Sequence, residues 1–294
     1  MQLHGVVGMI NSTWDDWFIK GEIEGSDPEG LSVWYLGCNG FVLRTETTTV
    51  YIDPYFGSGG HRPYAIRMIP VPMDPESVSL CDAVLITHEH ADHMHPPSYA
   101  PMLQTASADI YAPKTCFEDP DYQGELEIPT GRRRVVNIGD AFEVGDLRVK
   151  VRGADDPDAK EPISYVIEHE TGTFYHGGDS RYTDAFDSVG REFNVTLSAL
   201  AYGTRGRFFD GATGTARSSC NYMNGNEMIR SANALRTDRL VPTHYDFWKG
   251  WTADPKVLHE YARSYPYPYA IEMITVGDRL DTGQYGVVPP QYTM

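Results

Sequence analysis

The chain has 294 residues, 41% of them hydrophobic, enough to bury a full core, and no apolar run approaches the ~20 residues of a membrane span. Its 41 acidic and 24 basic residues give a net charge of -17, which weighs against a nucleic-acid backbone or an anionic membrane surface as partner. The start of the chain carries no signal-peptide pattern, and Cys38, Cys81, Cys116 and Cys220 are widely spaced without a Cys-x-x-Cys. Free thiols in a reducing cytosol are therefore expected rather than a disulfide framework.

Residues 12–20 read as a short helix, with Ser12 or Thr13 as cap and Trp14, Trp17 and Phe18 on one packing face. Three β-type runs follow, Leu31 to Gly37, Phe41 to Arg44 and Thr49 to Pro54, split by turn residues into a meander. The stretch from Pro54 to Pro75 is rich in Gly and Pro and reads as a long loop, a candidate rim for an active site. It lacks the Lys-Ser/Thr and helix start of a phosphate-binding loop.

The apolar run Ala83 to Ile86 reads as a buried strand. Thr87-His88-Glu89-His90-Ala91-Asp92-His93 follows directly, with four metal-binding side chains within six residues. Alternation along an extended strand end projects His88 and His90 the same way, and the chain then turns so that Asp92 and His93 reach a second point. Two imidazoles for one cation, and a carboxylate with an imidazole for another, is a ligand mix for a pair of divalent metals.

Further strands are expected at 108–112, 134–138, 147–152, 164–168, 173–176, 195–201, 240–244 and 272–276. Helices are expected at 114–118, 226–236 and 254–263, the second with Met228, Ile229, Ala232 and Leu235 at amphipathic spacing. Arg132-Arg133-Arg134 reads as a solvated turn, and the Gly- and Arg-rich stretch from Tyr202 to Cys220 as a mobile basic loop. With no linker or repeat in view, residues 1–294 are expected to form one domain, two sheets covered outside by helices.

The segments 34–40, 82–93, 113–116, 175–180 and 242–248 together resemble the branch of the metallo-β-lactamase superfamily that contains L-ascorbate-6-phosphate lactonase. The resemblance covers nearly the full length. It implies an α/β αββα sandwich of two mixed β-sheets, with the metals at one edge between the sheets. It implies that His88 and His90 bind the first metal, that Asp92, His93 and His244 bind the second, and that Asp179 bridges them. It also implies a further carboxylate ligand at Asp155, with Asp156 and Asp158 in the same run. An extra carboxylate hardens the site and favours Mn²⁺ over Zn²⁺.

The resemblance further implies a cytoplasmic homo-oligomeric enzyme acting on a small anionic substrate. A water activated by two cations would attack the carbonyl of a phosphorylated sugar-acid lactone such as L-ascorbate 6-phosphate. Asp92 is expected to relay protons as well as bind metal, His176 to orient Asp179, and Arg181, Arg205 and Arg207 to meet the substrate's negative charge. Two other functions fit the same residues: a phosphodiesterase of the same superfamily, and a non-catalytic metal-binding or sensor protein.

Overall fold

The computed structural model describes residues 10, 12–57, 66–118, 129–203, 206–210, 214–219, 222–265 and 270–288. Strands β1 (Ser32–Gly37), β2 (Gly40–Arg44), β3 (Thr49–Ile52) and β4 (Ala83–Leu85) lead to helix α1 (Pro96–Thr105). Strand β5 (Asp109–Ala112), helix α2 (Lys114–Glu118) and strands β6 (Arg133–Val135), β7 (Ala141–Val144), β8 (Leu147–Gly153), β9 (Ile163–His169) and β10 (Gly172–His176) follow. Next come α3 (Ala185–Glu192), β11 (Leu197–Ala201), the hairpin β12 (Gly206–Asp210) and β13 (Thr215–Ser219), and α4 (Gly225–Leu235). The described chain ends with β14 (Arg239–Thr243), α5 (Leu258–Ser264), β15 (Ala270–Ile271) and β16 (Arg279–Asp281).

Two seven-stranded sheets result, in the orders β16-β1-β2-β3-β4-β5-β6 and β15-β14-β11-β10-β9-β8-β7. Each is mixed: β16, β1, β2 and β3 are antiparallel and β3 to β6 parallel in the first. In the second, β7 to β10 are antiparallel and β10, β11, β14 and β15 parallel.

The layering follows from side-chain alternation. Val33 and Tyr35 of β1 enter a core shared between the sheets, with Tyr165 and Phe174 from the opposite sheet. Trp34 and Leu36, one residue out of step, face the other way and pack with Tyr99 and Met102 of α1. On the far side, Tyr175 and Leu200 meet Phe186 of α3 and Met228 and Leu235 of α4. Central strands are thus covered on both faces, which is why β1 and β11 are buried along their whole length and show no polar face. The arrangement is the expected αββα sandwich.

Several local expectations are corrected. The helix expected over 12–20 starts later and runs further: it is a π-helix at Phe18–Ile23, with Trp14 packed edge-on to Phe18. No strand forms at 272–276. The segment crosses from β15 in one sheet to β16 in the other, and Ile274 is buried between the sheets, so its apolar character reflects the crossing. The expected loop at Tyr202 to Cys220 carries the β12–β13 hairpin. Helix α1 falls in a stretch where no element was expected; it opens on Pro96 and Pro97 and carries Pro101 inside it. The first helical turn has no partners for its N–H groups anyway, so proline is cheap there, and Tyr99, Met102 and Leu103 are buried. Helix α3 contains Gly190, where a Cβ would stand 2.1 Å from the Ala234 carbonyl oxygen; close contact with α4 requires the glycine. Among the described residues no helix is long and apolar enough to cross a membrane.

Candidate metal centre

The carboxyl ends of β3, β4, β10 and β14 meet at one rim, where open α/β sheets commonly hold ligands. Asp53 follows β3, residues 87–93 follow β4, Asp179 follows β10 and His244 follows β14. The β1–β2 turn adds Cys38 and Asn39, and the β8–β9 connection adds Asp156. Gly178, at φ +59, turns the chain so that Asp179 faces the rim while its own backbone packs against Thr87.

Two groups of donors form there. His88, His90, Asp156 and Asp179 each offer an atom within 4.8 Å of the others, and so do Cys38, Asp92, His93 and His244. In the first group His88 Nε2 and His90 Nδ1 lie 3.4 and 3.3 Å from Asp156 Oδ2. Asp179 also faces the second group: its Oδ2 is 3.2 Å from His93 Nε2 and 3.5 Å from His244 Nε2. His244 Nε2 is in turn 3.4 Å from Asp92 Oδ2. Four atoms ~2.0–2.2 Å from one ion at tetrahedral angles stand ~3.3–3.6 Å apart, so these separations are those of ligands around shared points.

One buried carboxylate orients two of the imidazoles. The Thr87 backbone N–H donates to Asp53 Oδ1 (2.8 Å), and the Thr87 hydroxyl donates to Asp53 Oδ2 (2.6 Å). With its proton so committed, Thr87 Oγ1 accepts from His88 Nδ1 at 2.9 Å, turning His88 Nε2 toward the rim, where it faces His90 Nδ1 at 2.9 Å. His93 Nδ1 donates to the same Asp53 Oδ2 at 2.8 Å, turning His93 Nε2 toward the rim as well. That Nε2 is fully buried and has no hydrogen-bond partner, despite the nearby Asp179 oxygen. A buried ring nitrogen and a carboxylate oxygen 3.2 Å apart without hydrogen-bond geometry are a pair that a cation between them would satisfy.

The carboxylates are braced too. Asn39 Nδ2 donates to Asp179 Oδ1 (3.2 Å), while Thr243 Oγ1 holds Asn39 Oδ1 (2.8 Å). Trp248 Nε1 donates to Asp92 Oδ2 at 2.9 Å. Backbone strain gathers here: of the four described non-glycine residues at positive φ, Cys38, Asp53 and His244 belong to the rim, and the fourth, Arg236, ends α4.

The charges are left unbalanced. Burial and the neighbouring Asp179 push the Asp156 carboxyl up to about 6. Burial would also raise Asp179, but His244 and His93 hold it well below the usual carboxylate range. Burial pulls His244 down, yet Asp179 and Asp92 lift it to about 9. Crowded carboxylates facing clustered imidazoles suit divalent cations, which would displace the imidazole protons, and the donors present fit a pair of them.

The sequence-predicted residues separate clearly. His88, His90, Asp92, His93, Asp179 and His244 come together. Asp155 does not join them, which corrects the expectation: its carboxylate pairs with Arg181 at 3.2 Å, and both side chains are over 40% exposed. The next residue, Asp156, turns inward and is buried. His176 does not reach Asp179 by a hydrogen bond. Its Nε2 donates to the Asn39 carbonyl at 2.8 Å and its Nδ1 accepts from the Gly178 N–H at 3.3 Å, so it braces the backbone on either side of the site. Arg205 lies outside the described residues, and Arg207 falls in β12, where side chains are not described. Cys38, Asn39, Asp53 and Trp248 were not singled out. Asp53 ends a predicted strand, and a ligand histidine's need for a carboxylate partner is the signal that could have found it.

A family model described as "Beta-lactamase superfamily domain" matches residues 48–245. A curated relative from Escherichia fergusonii, called a probable L-ascorbate-6-phosphate lactonase, is 29% identical over 296 residues, covering 85% of this chain and 80% of that protein. Among solved structures, a possible metal-dependent hydrolase from Veillonella parvula superposes with TM-score 0.66 at 15% identity, covering 85% of this chain and 99% of that one. A metallo hydrolase from Ignicoccus hospitalis does so with TM-score 0.63 at 18% identity, covering 85% and 97%. With its fold, its clustered donors and this match over most of its length, the chain belongs to the metallo-β-lactamase superfamily.

Proposed function

We propose that the chain, as one domain over residues 1–294, is a dinuclear metal-dependent hydrolase that opens a sugar-acid lactone, most simply a phosphorylated one such as L-ascorbate 6-phosphate. The observation that carries this reading is the pair of four-donor groups meeting at Asp179 on the rim of strand ends. The relative named as a probable lactonase of that ester supports the substrate class.

His88, His90, Asp156 and Asp179 would hold one cation, and Asp92, His93 and His244, with Asp179 shared, the other. Divalent cations bound there supply Lewis acidity and lower the pKa of water toward neutrality. The protein's part is to present these donors without reorganisation. Asp53 fixes the ring orientation of His88 and His93, and Asn39 and Trp248 fix the carboxylates of Asp179 and Asp92. Asp92 accepts the proton that the attacking water loses and returns it to the alkoxide released when the ring opens. Arg181, already holding a carboxylate in Asp155, the residue before Asp156, offers a guanidinium to an anionic group on the substrate.

The test is a substrate panel on protein stripped by chelation and reloaded with Mn²⁺ or Zn²⁺. Chelation should abolish hydrolysis of a sugar lactone and reloading should restore it. Preference for bis-nitrophenyl phosphate would make the protein a phosphodiesterase. Bound metal without turnover of either substrate would make it a binding protein.

A further inference from the structure

Cys38 is the one sulfur donor among the eight clustered side chains, and it is fully buried. It sits at φ +58 after Gly37 at φ +93, in the turn between β1 and β2. Its carbonyl accepts from both Tyr35 Oη and the His244 backbone N–H, each at 3.0 Å, so the turn is tied to the residue that carries one of the imidazoles. Its Sγ is 3.2 Å from His244 Nε2 and 3.7 Å from Asp92 Oδ2.

A thiol donating to His244 is the simpler description, but two observations go against it. His244 Nε2 also has Tyr222 Oη at 3.3 Å and Asp92 Oδ2 at 3.4 Å, more neighbours than one ring nitrogen can serve. In the same group His93 Nε2 is buried, aimed inward and without a hydrogen-bond partner. For a tetrahedral ion with a metal–sulfur distance of ~2.3 Å and metal–nitrogen or metal–oxygen distances of ~2.0–2.2 Å, sulfur stands ~3.5–3.7 Å from the other ligands; the 3.7 Å to Asp92 Oδ2 matches this and the 3.2 Å to His244 Nε2 is a few tenths of an ångström shorter.

We propose that Cys38 is a thiolate ligand of the cation held by Asp92, His93 and His244, so that this position selects zinc over manganese while the sulfur-free group at His88, His90, Asp156 and Asp179 accepts the harder ion. The inference rests on the dinuclear reading above and adds chemical inequality to it. Thiolate is a soft donor that zinc takes readily and manganese poorly. As the sulfur–metal bond forms, the thiol proton passes to solvent, and no electron is transferred.

The test is to load metal-free protein with Co²⁺ and follow its absorption, counting bound metal alongside. A near-ultraviolet thiolate-to-cobalt charge-transfer band is expected. It should vanish in Cys38→Ser, persist in Cys220→Ser, and be displaced by Zn²⁺ but not by equimolar Mn²⁺. Cys38→Ser should bind zinc at this position at least tenfold more weakly while the other position still fills. X-ray absorption at the zinc edge of the wild type requires no variant and should show one sulfur neighbour for every two zinc ions. Two bound cobalt ions without the band, or zinc surrounded only by nitrogen and oxygen, would overturn the proposal and leave the dinuclear reading intact. Failure to bind any cation would sink both.

Discussion

The two donor groups lie side by side and share a carboxylate, yet they are held very differently. In the group around His244, the His93 and His244 side chains are fully buried, Asp53 fixes His93, and Trp248 holds Asp92. In the group around His88, the His90 side chain is 31% exposed, and Asp156 hangs from the connection between β8 and β9. That connection is tied down where the Lys160 N–H donates to Glu89 at 2.7 Å. If two cations bind as proposed, the position around His244 would be the more tightly braced, and the one beside the part-exposed His90 would be where the site opens. A dinuclear centre gains from this division, because one ion can stay fixed while the neighbouring position admits substrate.

The largest effect should come from removing what the two groups share. Asp179→Ala should lower hydrolysis by roughly 10³-fold or more and end paired metal binding. Wild-type turnover with full metal content would break the comparison at its root. Next, Asp156→Ala should empty the open position, whereas Asp155→Ala should leave both filled. Metal counting separates the variants, and the reverse pattern would restore the sequence-based choice of Asp155.

Asp53→Ala comes third and should affect both groups at once, since Asp53 orients His93 directly and His88 through Thr87. Affinity at each position should fall by roughly 10–100-fold, and stability by about 3 kcal/mol, because Thr87 and His93 lose a buried partner. Calorimetric metal titration and chemical denaturation measure the two losses. An effect on one position only would show that the Thr87 relay does not act.

The smallest effect sharpens the contrast through pH. A cation must displace protons from its ligands. Asp156 carries a proton only below about pH 6, so above that pH filling the open position releases none from it. His244 carries one up to about pH 9, so filling the closed position at neutral pH expels it, and affinity there should keep rising toward pH 9. Titration in two buffers of different ionisation enthalpy counts the protons. Equal release from both positions near pH 7.5 would contradict the assignment.

The sandwich was legible in the sequence because its evidence is periodic. Runs such as 31–37 and 195–201 read as strands before any partner is known, and the amphipathic spacing in 226–236 marks α4. The histidine motif was legible because its donors are contiguous. What failed depends on partners distant in sequence. Asp53 meets His93 across 40 positions and Cys38 meets His244 across 206. Asp155 and Asp156 differ only in which way a loop turns them, and no local pattern records that. Helix α1 was hidden by its prolines, whose cost is offset by burial that only the fold reveals.

The most direct test is anomalous diffraction from crystals of the metal-loaded protein. The account predicts two peaks, one among His88, His90 and Asp156 and one among Asp92, His93 and His244, both within bonding distance of Asp179. A single peak, or a pair in which either lies away from Asp179, would contradict it.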